Sequence, residues 1–145
     1  MEKQQVLFQD LGLLDYQAAW DLQEKLLQEN VSRKSLVYSL EPGAFEDPAP
    51  GSRLLTQHQL LFVEHPPVYT LGKNGNKANV LLGDDELKEK NIQFFNTNRG
   101  GDITFHGNDQ IVGYPILDLE KFYTDIGKYL RNLEEVIIQT MAEYG

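Results

Sequence analysis

Cysteine is absent from the 145 residues. That absence excludes disulfides, thiolate metal sites and a cysteine nucleophile within this chain. Positive charge is scarce too: 13 Lys and Arg stand against 22 Asp and Glu, a formal charge of −9. Such a surface repels phosphate backbones and anionic lipid heads, which argues against nucleic acid and membrane partners. Long apolar runs are missing as well. Stretches such as Leu60–Val63 fall far short of the roughly 20 residues that cross a bilayer as a helix. The opening Met1-Glu2-Lys3-Gln4-Gln5 has neither the charged start nor the apolar stretch of a signal peptide. Repeats and low-complexity segments are also missing, and a cytoplasmic location is the expectation.

What is present fits one domain over 1–145: 41% hydrophobic and 24% charged residues lie near globular averages. Val6–Leu11 carries β-formers and predicts an opening strand. From Asp15, a candidate N-cap, the spacing turns helical through Tyr16, Ala19, Trp20, Gln23, Leu26 and Leu27. Ser35–Leu40 is assigned to a second short strand. Glu41–Ser52, with Pro42, Gly43, Pro48, Pro50 and Gly51, reads as a surface loop, and the loop insertion is taken to extend over 41–58.

Gln59–Glu64 has strand length, and His65-Pro66-Pro67 then imposes extended backbone. Val68–Leu71 predicts another strand, Asn74-Gly75-Asn76 a turn, Asp84–Lys90 a short polar helix and Ile92–Asn96 a further strand. Ile126, Tyr129, Leu130, Leu133, Ile137, Met141 and Tyr144 return to helix period, capped by Thr124 or Asp125. Helix, strands in hairpin-like order and helix make an α+β fold, with an apolar helix face covering a sheet.

The segment richest in chemistry runs from Arg99-Gly100-Gly101-Asp102-Ile103-Thr104-Phe105-His106-Gly107 to Leu117. A hairpin turning at Asn108-Asp109 sets Thr104 opposite Gly113 and His106 opposite Ile111. Alternation then gathers Ile103, Phe105, Val112, Tyr114 and Ile116 on a core face, leaving Asp102, Thr104, His106 and Gly113 on a polar one. Pro115 points to an edge or bulge. Gly100 and Gly101 open bare backbone to a ligand, and Arg99 adds a rigid charged fork. These parts suit a polar carbonyl or carboxylate head with a narrow chain behind it. From spacing alone, an exposed sheet face whose glycines make a tight turn is the commoner reading of so short a motif.

Other candidates are weaker. His58, His65 and His106 match no compact metal-ligand spacing, so no metal is expected. His65 reads as a strand-end residue bonding locally. The serines at 32, 35, 39 and 52 lack a nucleophile-elbow pattern. Tyr16 and Trp20 read as core packing, and Asp84-Asp85-Glu86 as a solvated helix start.

Three blocks together resemble the lipoyl(octanoyl) transferase family. They are Asp15-Tyr16-Gln17-Ala18-Ala19-Trp20 with Gln23, Glu64-His65-Pro66-Pro67-Val68-Tyr69-Thr70-Leu71-Gly72, and Arg99–Gly107 running on to Gly113-Tyr114-Pro115-Ile116-Leu117-Asp118-Leu119. The resemblance implies a mixed sheet with packed helices (α/β), similar to biotin and lipoate protein ligases and incomplete at its C-terminal side. It implies octanoyl transfer from acyl carrier protein to a lysine on lipoyl domains of 2-oxoacid dehydrogenase complexes and glycine cleavage H protein, without a cofactor. Arg99, Gly100, Gly101, Asp102, Ile103, Thr104, Phe105 and His106 would bind substrate.

Two departures stand out. Where the family usually has Gly-Pro-Gly-Gln, this chain has Gly107-Asn108-Asp109-Gln110. The family's catalytic cysteine, which carries the acyl group as a thioester, and its lysine are expected beyond Gly145, so no catalytic residue is assigned here and the chain alone is expected to be inactive. The 145 residues are read as the N-terminal part of a longer catalytic domain. Acidic carrier and lipoyl partners would need a local basic patch, for which Lys73, Lys77 and Arg99 are candidates. A lipoate or biotin ligase-like enzyme and a non-catalytic acyl- or carrier-binding module remain as alternatives.

Overall fold

The computed structural model describes residues 4–39 and 56–145. The loop expected over Glu41–Ser52 lies outside them. At the far end of that expected insertion, His58 is no loop residue; it already begins a strand.

Strand β1 (Val6–Leu13) leads into helix α1 (Tyr16–Ser39). Asp15 caps the helix, its Oδ1 accepting from the backbone N–H of Gln17 at 2.9 Å and of Ala18 at 3.4 Å. The strand expected from Ser35 does not form, because α1 runs through Ser39. No Gly or Pro interrupts 16–39, so each residue adds a helical bond once the first turn exists. Helical spacing also sets Lys34 and Tyr38 one turn apart, where both reach the Glu120 carboxylate, at 2.8 and 3.3 Å.

The strands β2 (His58–Glu64), β3 (Val68–Leu71), β4 (Gln93–Asn96), β5 (Ile103–His106) and β6 (Ile111–Ile116) complete two three-stranded sheets. The first has the order β1-β2-β6, β1 parallel and β6 antiparallel to β2. The second has the order β4-β3-β5, β4 parallel and β5 antiparallel to β3. Helix α2 (Asp84–Glu89) precedes β4, and α3 (Ile126–Ala142), capped by Asp125, follows β6. The mixed α/β architecture agrees with the expected class.

The hairpin between β5 and β6 does not exist. A turn is present, with Gln110 N–H donating to Gly107 O at 3.3 Å. Beyond it, however, β6 joins β2 with Gly113 opposite Phe62, while β5 joins β3 with Thr104 opposite Thr70. The chain therefore changes sheets twice, at His65-Pro66-Pro67 and at Gly107–Gln110. The two corners run side by side, since Asp109 N–H donates to the Glu64 carboxylate. A local turn signal says that the chain bends, and the ladder it joins is decided by distant strands.

Ala19 on α1 packs on Leu61 and Val63 of β2 and Ile116 of β6, with Leu11, Leu14, Leu22, Leu26 and Tyr114 around them. Alanine at that position lets helix and sheet approach closely. Pro115 lies on the edge strand β6, as expected of a residue that cannot donate to a ladder. The covering helix is α1. The apolar stripe of α3 covers nothing comparable: Ile126, Leu130, Ile137 and Met141 each stay more than half exposed. Amphipathic periodicity shows which side of a helix seeks cover and says nothing of what provides it.

Candidate functional site

The pleat of the second sheet sorts the predicted residues. Val68 and Thr70 on β3 lie opposite His106 and Thr104 on β5 and beside Gln93 and Phe95 on β4, so all six share one face. Ile103 and Phe105 share the other face with Tyr69, whose ring lies 5.0 Å from that of Phe105. They were expected in a core with Val112, Tyr114 and Ile116, but those three belong to the other sheet, and Phe105 is 44% exposed. Of the eight predicted binding residues, Ile103 and Phe105 thus lie behind the candidate site.

Arg99 does not hold its fork out for a ligand. Nη2 donates to Thr70 O at 2.6 Å, to the hydroxyls of Thr70 and Thr104 at 2.9 Å each, and to Asp102 O at 3.1 Å. Nη1 donates to Gly100 O at 2.8 Å. The guanidinium buttresses its own loop against buried Thr70, and that long-range partner is invisible to local spacing.

Glycines allow the loop to lie where it does. Gly72 N–H donates to Asp102 O and Lys73 N–H to Arg99 O, both at 3.0 Å. A Cβ on Gly72 would stand 2.3 Å from Gly101 O, and Gly101 itself has φ +84°. Asp102 belongs to this scaffold as well, its carboxylate accepting from Asn76 N–H at 2.9 Å and from the Asn79 amide. It clamps two loops together.

Above the polar face stands an aromatic group that local reasoning assigned elsewhere. The Tyr16 ring lies 5.0 Å from Phe95, 5.3 Å from His65 and 6.0 Å from Trp20, and stacks on His106 at 6.3 Å and 14°. His65 is fully buried and bonds far from home: Nδ1 donates to Leu14 O, and Nε2 accepts from the Tyr114 hydroxyl, each at 2.8 Å. Since a carbonyl only accepts, these partners define a neutral ring protonated at Nδ1. His106 Nδ1 meets Gln110 Oε1 at 2.8 Å. The sequence signal that marks Tyr16 and His65 is their place in the first two resemblance blocks.

Burial sets the electrostatics of this group. It lowers the His65 pKa, against the opposing hydrogen bond to Leu14 O. It raises Tyr16, with the Arg99 charge acting the other way, and pushes Tyr114 up to about 12. Asp15 is lowered chiefly by the side-chain hydrogen bond from Gln93, whose own Oε1 is buried without a partner.

The other candidates stay apart. His58 accepts from Asp118 N–H at 3.2 Å and packs on Phe122, away from the other two histidines. Among the described residues no group of three His, Cys, Asp or Glu is placed to hold a metal. Lys77 lies 3.2 Å from Asp84 and 5.5 Å from the Phe94 ring centre. No described helix is long and apolar enough to cross a membrane.

The site is thus a half-open imidazole, a threonine hydroxyl and a glycine loop under a tyrosine, with no thiol. Known proteins are similar to this chain over nearly its whole length. Over 97% of this chain, octanoyltransferases from Christiangramia forsetii and Flavobacterium johnsoniae are 50% and 51% identical, and one from Cytophaga hutchinsonii 46%. The chain spans about half the length of these relatives: 56%, 56% and 54%. Residues 15–145 match the lipoyl protein ligase A/B catalytic domain. The chain belongs to the lipoyl protein ligase A/B catalytic domain family.

Proposed function

We propose that this chain forms the acyl-binding part of an octanoyltransferase, which moves an octanoyl group from acyl carrier protein to a lysine amine on a lipoyl domain in the cytoplasm. The observation that carries this is the identity of 50% with named octanoyltransferases over 97% of the chain. The lipoyl domains of 2-oxoacid dehydrogenase complexes and the glycine cleavage H protein are the proposed acceptors. Gly100, Gly101, Thr104 and His106 would meet the acyl head. Arg99 and Asp102 would hold the loop in shape. The inward-turned Arg99 favours this reading over a ligase that grips adenylate phosphates, because it leaves little of the fork for an anion.

The chain has no cysteine, so no acyl thioester forms on it and the 145 residues alone are expected to transfer nothing. The test joins this chain to the part of the Flavobacterium johnsoniae octanoyltransferase that follows the aligned region. Octanoyl transfer from carrier protein to a lipoyl domain, without ATP, is the expected result. A joined protein that modifies the lipoyl domain only with free octanoate and ATP would overturn the transferase reading in favour of a ligase. Folded protein without either activity would leave a binding module.

A further inference from the structure

Thr70 stands on β3, the central strand of the second sheet, between Phe95 of β4 and Thr104 of β5, with no exposure to solvent. Val68 and Leu71 of the same strand are buried too. Valine has the same branched shape and a similar strand preference, so packing alone gives no reason for a hydroxyl there. A buried hydroxyl costs stability unless it is hydrogen-bonded. Among the described residues its partner is Arg99 alone.

The form of that contact is specific. Thr70 Oγ1 accepts from Arg99 Nε at 3.3 Å and from Nη2 at 2.9 Å, so one oxygen fills the side-on fork of the guanidinium. A carboxylate or phosphate that pairs bidentately with arginine sets its oxygens on these two donors or on the end-on pair, Nη1 and Nη2. The end-on side is spent as well. Nη1 donates to Gly100 O at 2.8 Å, and Nη2 to Asp102 O at 3.1 Å and the Thr104 hydroxyl at 2.9 Å. Thr70 O takes a further bond from Nη2 at 2.6 Å. All these acceptors are neutral, since the Asp102 carboxylate turns instead to Asn76 and Asn79.

We propose that Thr70 is a specificity-determining residue: its hydroxyl occupies the Arg99 fork in place of an anionic oxygen, so the glycine loop takes an uncharged acyl carbonyl and rejects a free carboxylate. The inference rests on the octanoyltransferase reading, in which the substrate is a thioester and octanoate is its charged counterpart. The two share an apolar tail, so only the head can separate them. An open arginine fork beside the loop would favour octanoate through two charge-assisted bonds. The filled fork removes that advantage and, through Gly100 O and Asp102 O, holds the loop in shape.

In the joined protein, Thr70→Val keeps the shape of the side chain and empties the side-on fork. Calorimetry should then show octanoate bound roughly fivefold or more tightly than by the unsubstituted joined protein, as a regained charge-assisted bond predicts. Octanamide, with the same tail and a neutral head, should gain nothing. Thr70→Ser restores the hydroxyl and should leave both affinities where they were. Octanoate affinity that does not rise in Thr70→Val, an equal rise for octanamide, or the same rise in Thr70→Ser would overturn the inference. If Thr70→Val does not fold, exchange of the Arg99 Nε–H with water in the unsubstituted 145-residue chain decides. Exchange about tenfold slower than at exposed Arg131 is expected, and equal exchange would overturn the inference. Transfer is read separately: a joined protein that binds as expected but moves no octanoyl group refutes the octanoyltransferase reading and leaves the exclusion of anions standing.

Discussion

The hydroxyl of Tyr114 on β6 donates to Nε2 of His65, a fully buried ring at the corner between the two sheets, across 2.8 Å. The opposite ring nitrogen reaches Leu14 O at the same distance. The imidazole therefore joins the start of α1, the last strand of the first sheet and the entry to the second. Replacing Tyr114 by Phe keeps the packing and removes one donor, leaving a buried acceptor unpaired. The expected cost is about 1–3 kcal/mol of unfolding free energy. Urea unfolding of Tyr114→Phe checks it, and an unchanged midpoint would show that the bond contributes nothing.

The same burial makes stability depend on pH. Unfolded, a histidine takes its proton near 6.5, whereas burial holds folded His65 and His58 below that value. Protons then bind the unfolded chain more readily, so stability is complete above about pH 6.5 and falls as the pH drops through the interval beneath it. The slope cannot exceed about 1.4 kcal/mol per pH unit for each histidine. Tyr114 acts at the other end: the folded phenol keeps its proton up to about 12 while the unfolded one loses it at 10.0, so stability falls again above pH 10. Denaturation midpoints measured at steps between about pH 5 and 11 would test both limbs, and a flat profile would contradict them.

Two glycines of the loop should behave oppositely. A Cβ on Gly72 meets Gly101 O at 2.3 Å and Gly100 O at 2.9 Å, both backbone atoms that cannot swing aside. Gly72→Ala should destabilise the fold by about 1–3 kcal/mol or more through overpacking. Gly100 meets nothing within 4 Å. Gly100→Ala should leave stability within about 0.5 kcal/mol while crowding the approach to the loop. Thermal denaturation separates the two; equal losses would show that the loops are looser than their contacts.

What was legible in the sequence was what is settled locally. The Asp15 cap, the α1 stripe and the apolar run of β2 follow from neighbours within a few residues, and so does the edge position of Pro115. Pairing was not legible. Asn108-Asp109 does mark a turn, yet β5 finds its ladder on β3, more than 30 residues back. Arg99 looked like a free cation because Thr70, its main acceptor, lies 29 positions away. His65 looked local because Leu14 and Tyr114 lie 51 and 49 positions off. Long-range contacts decide where a polar side chain is spent, and no window of spacing contains them.

Asp109 has φ 63°, the left-handed region, at the position where the resembling family usually carries glycine. An L residue there meets its own carbonyl, at a cost of roughly 1–2 kcal/mol that is smaller for Asp than for most side chains. Asp109→Gly relieves it, although glycine also loses more freedom on folding. The hydrogen bond from the backbone N–H to Glu64 is retained by glycine. The balance predicts a gain of about 0.5–1 kcal/mol, read as a higher midpoint of thermal unfolding. A lower midpoint would mean that the Asp109 side chain contributes more to the turn than its backbone costs.

Docking rests on the proposed carrier partner and on a small basic edge. Lys73 follows the clamped Gly72, and Lys77 shares its charge with Asp84 in a pair whose side chains are 62% and 72% exposed. An exposed pair of this kind is worth only about 0–1 kcal/mol, so the Lys77 charge stays available to an acidic surface. In a chain of net charge −9, these lysines would have to offset general repulsion near the site. Lys73→Glu with Lys77→Glu should therefore slow association with acyl carrier protein several-fold at low salt. The difference should shrink once salt near about 0.5 M shortens the screening length. Stopped-flow association rates at both salts provide the measurement, and an on-rate that ignores the double substitution at low salt would place carrier docking elsewhere on the surface.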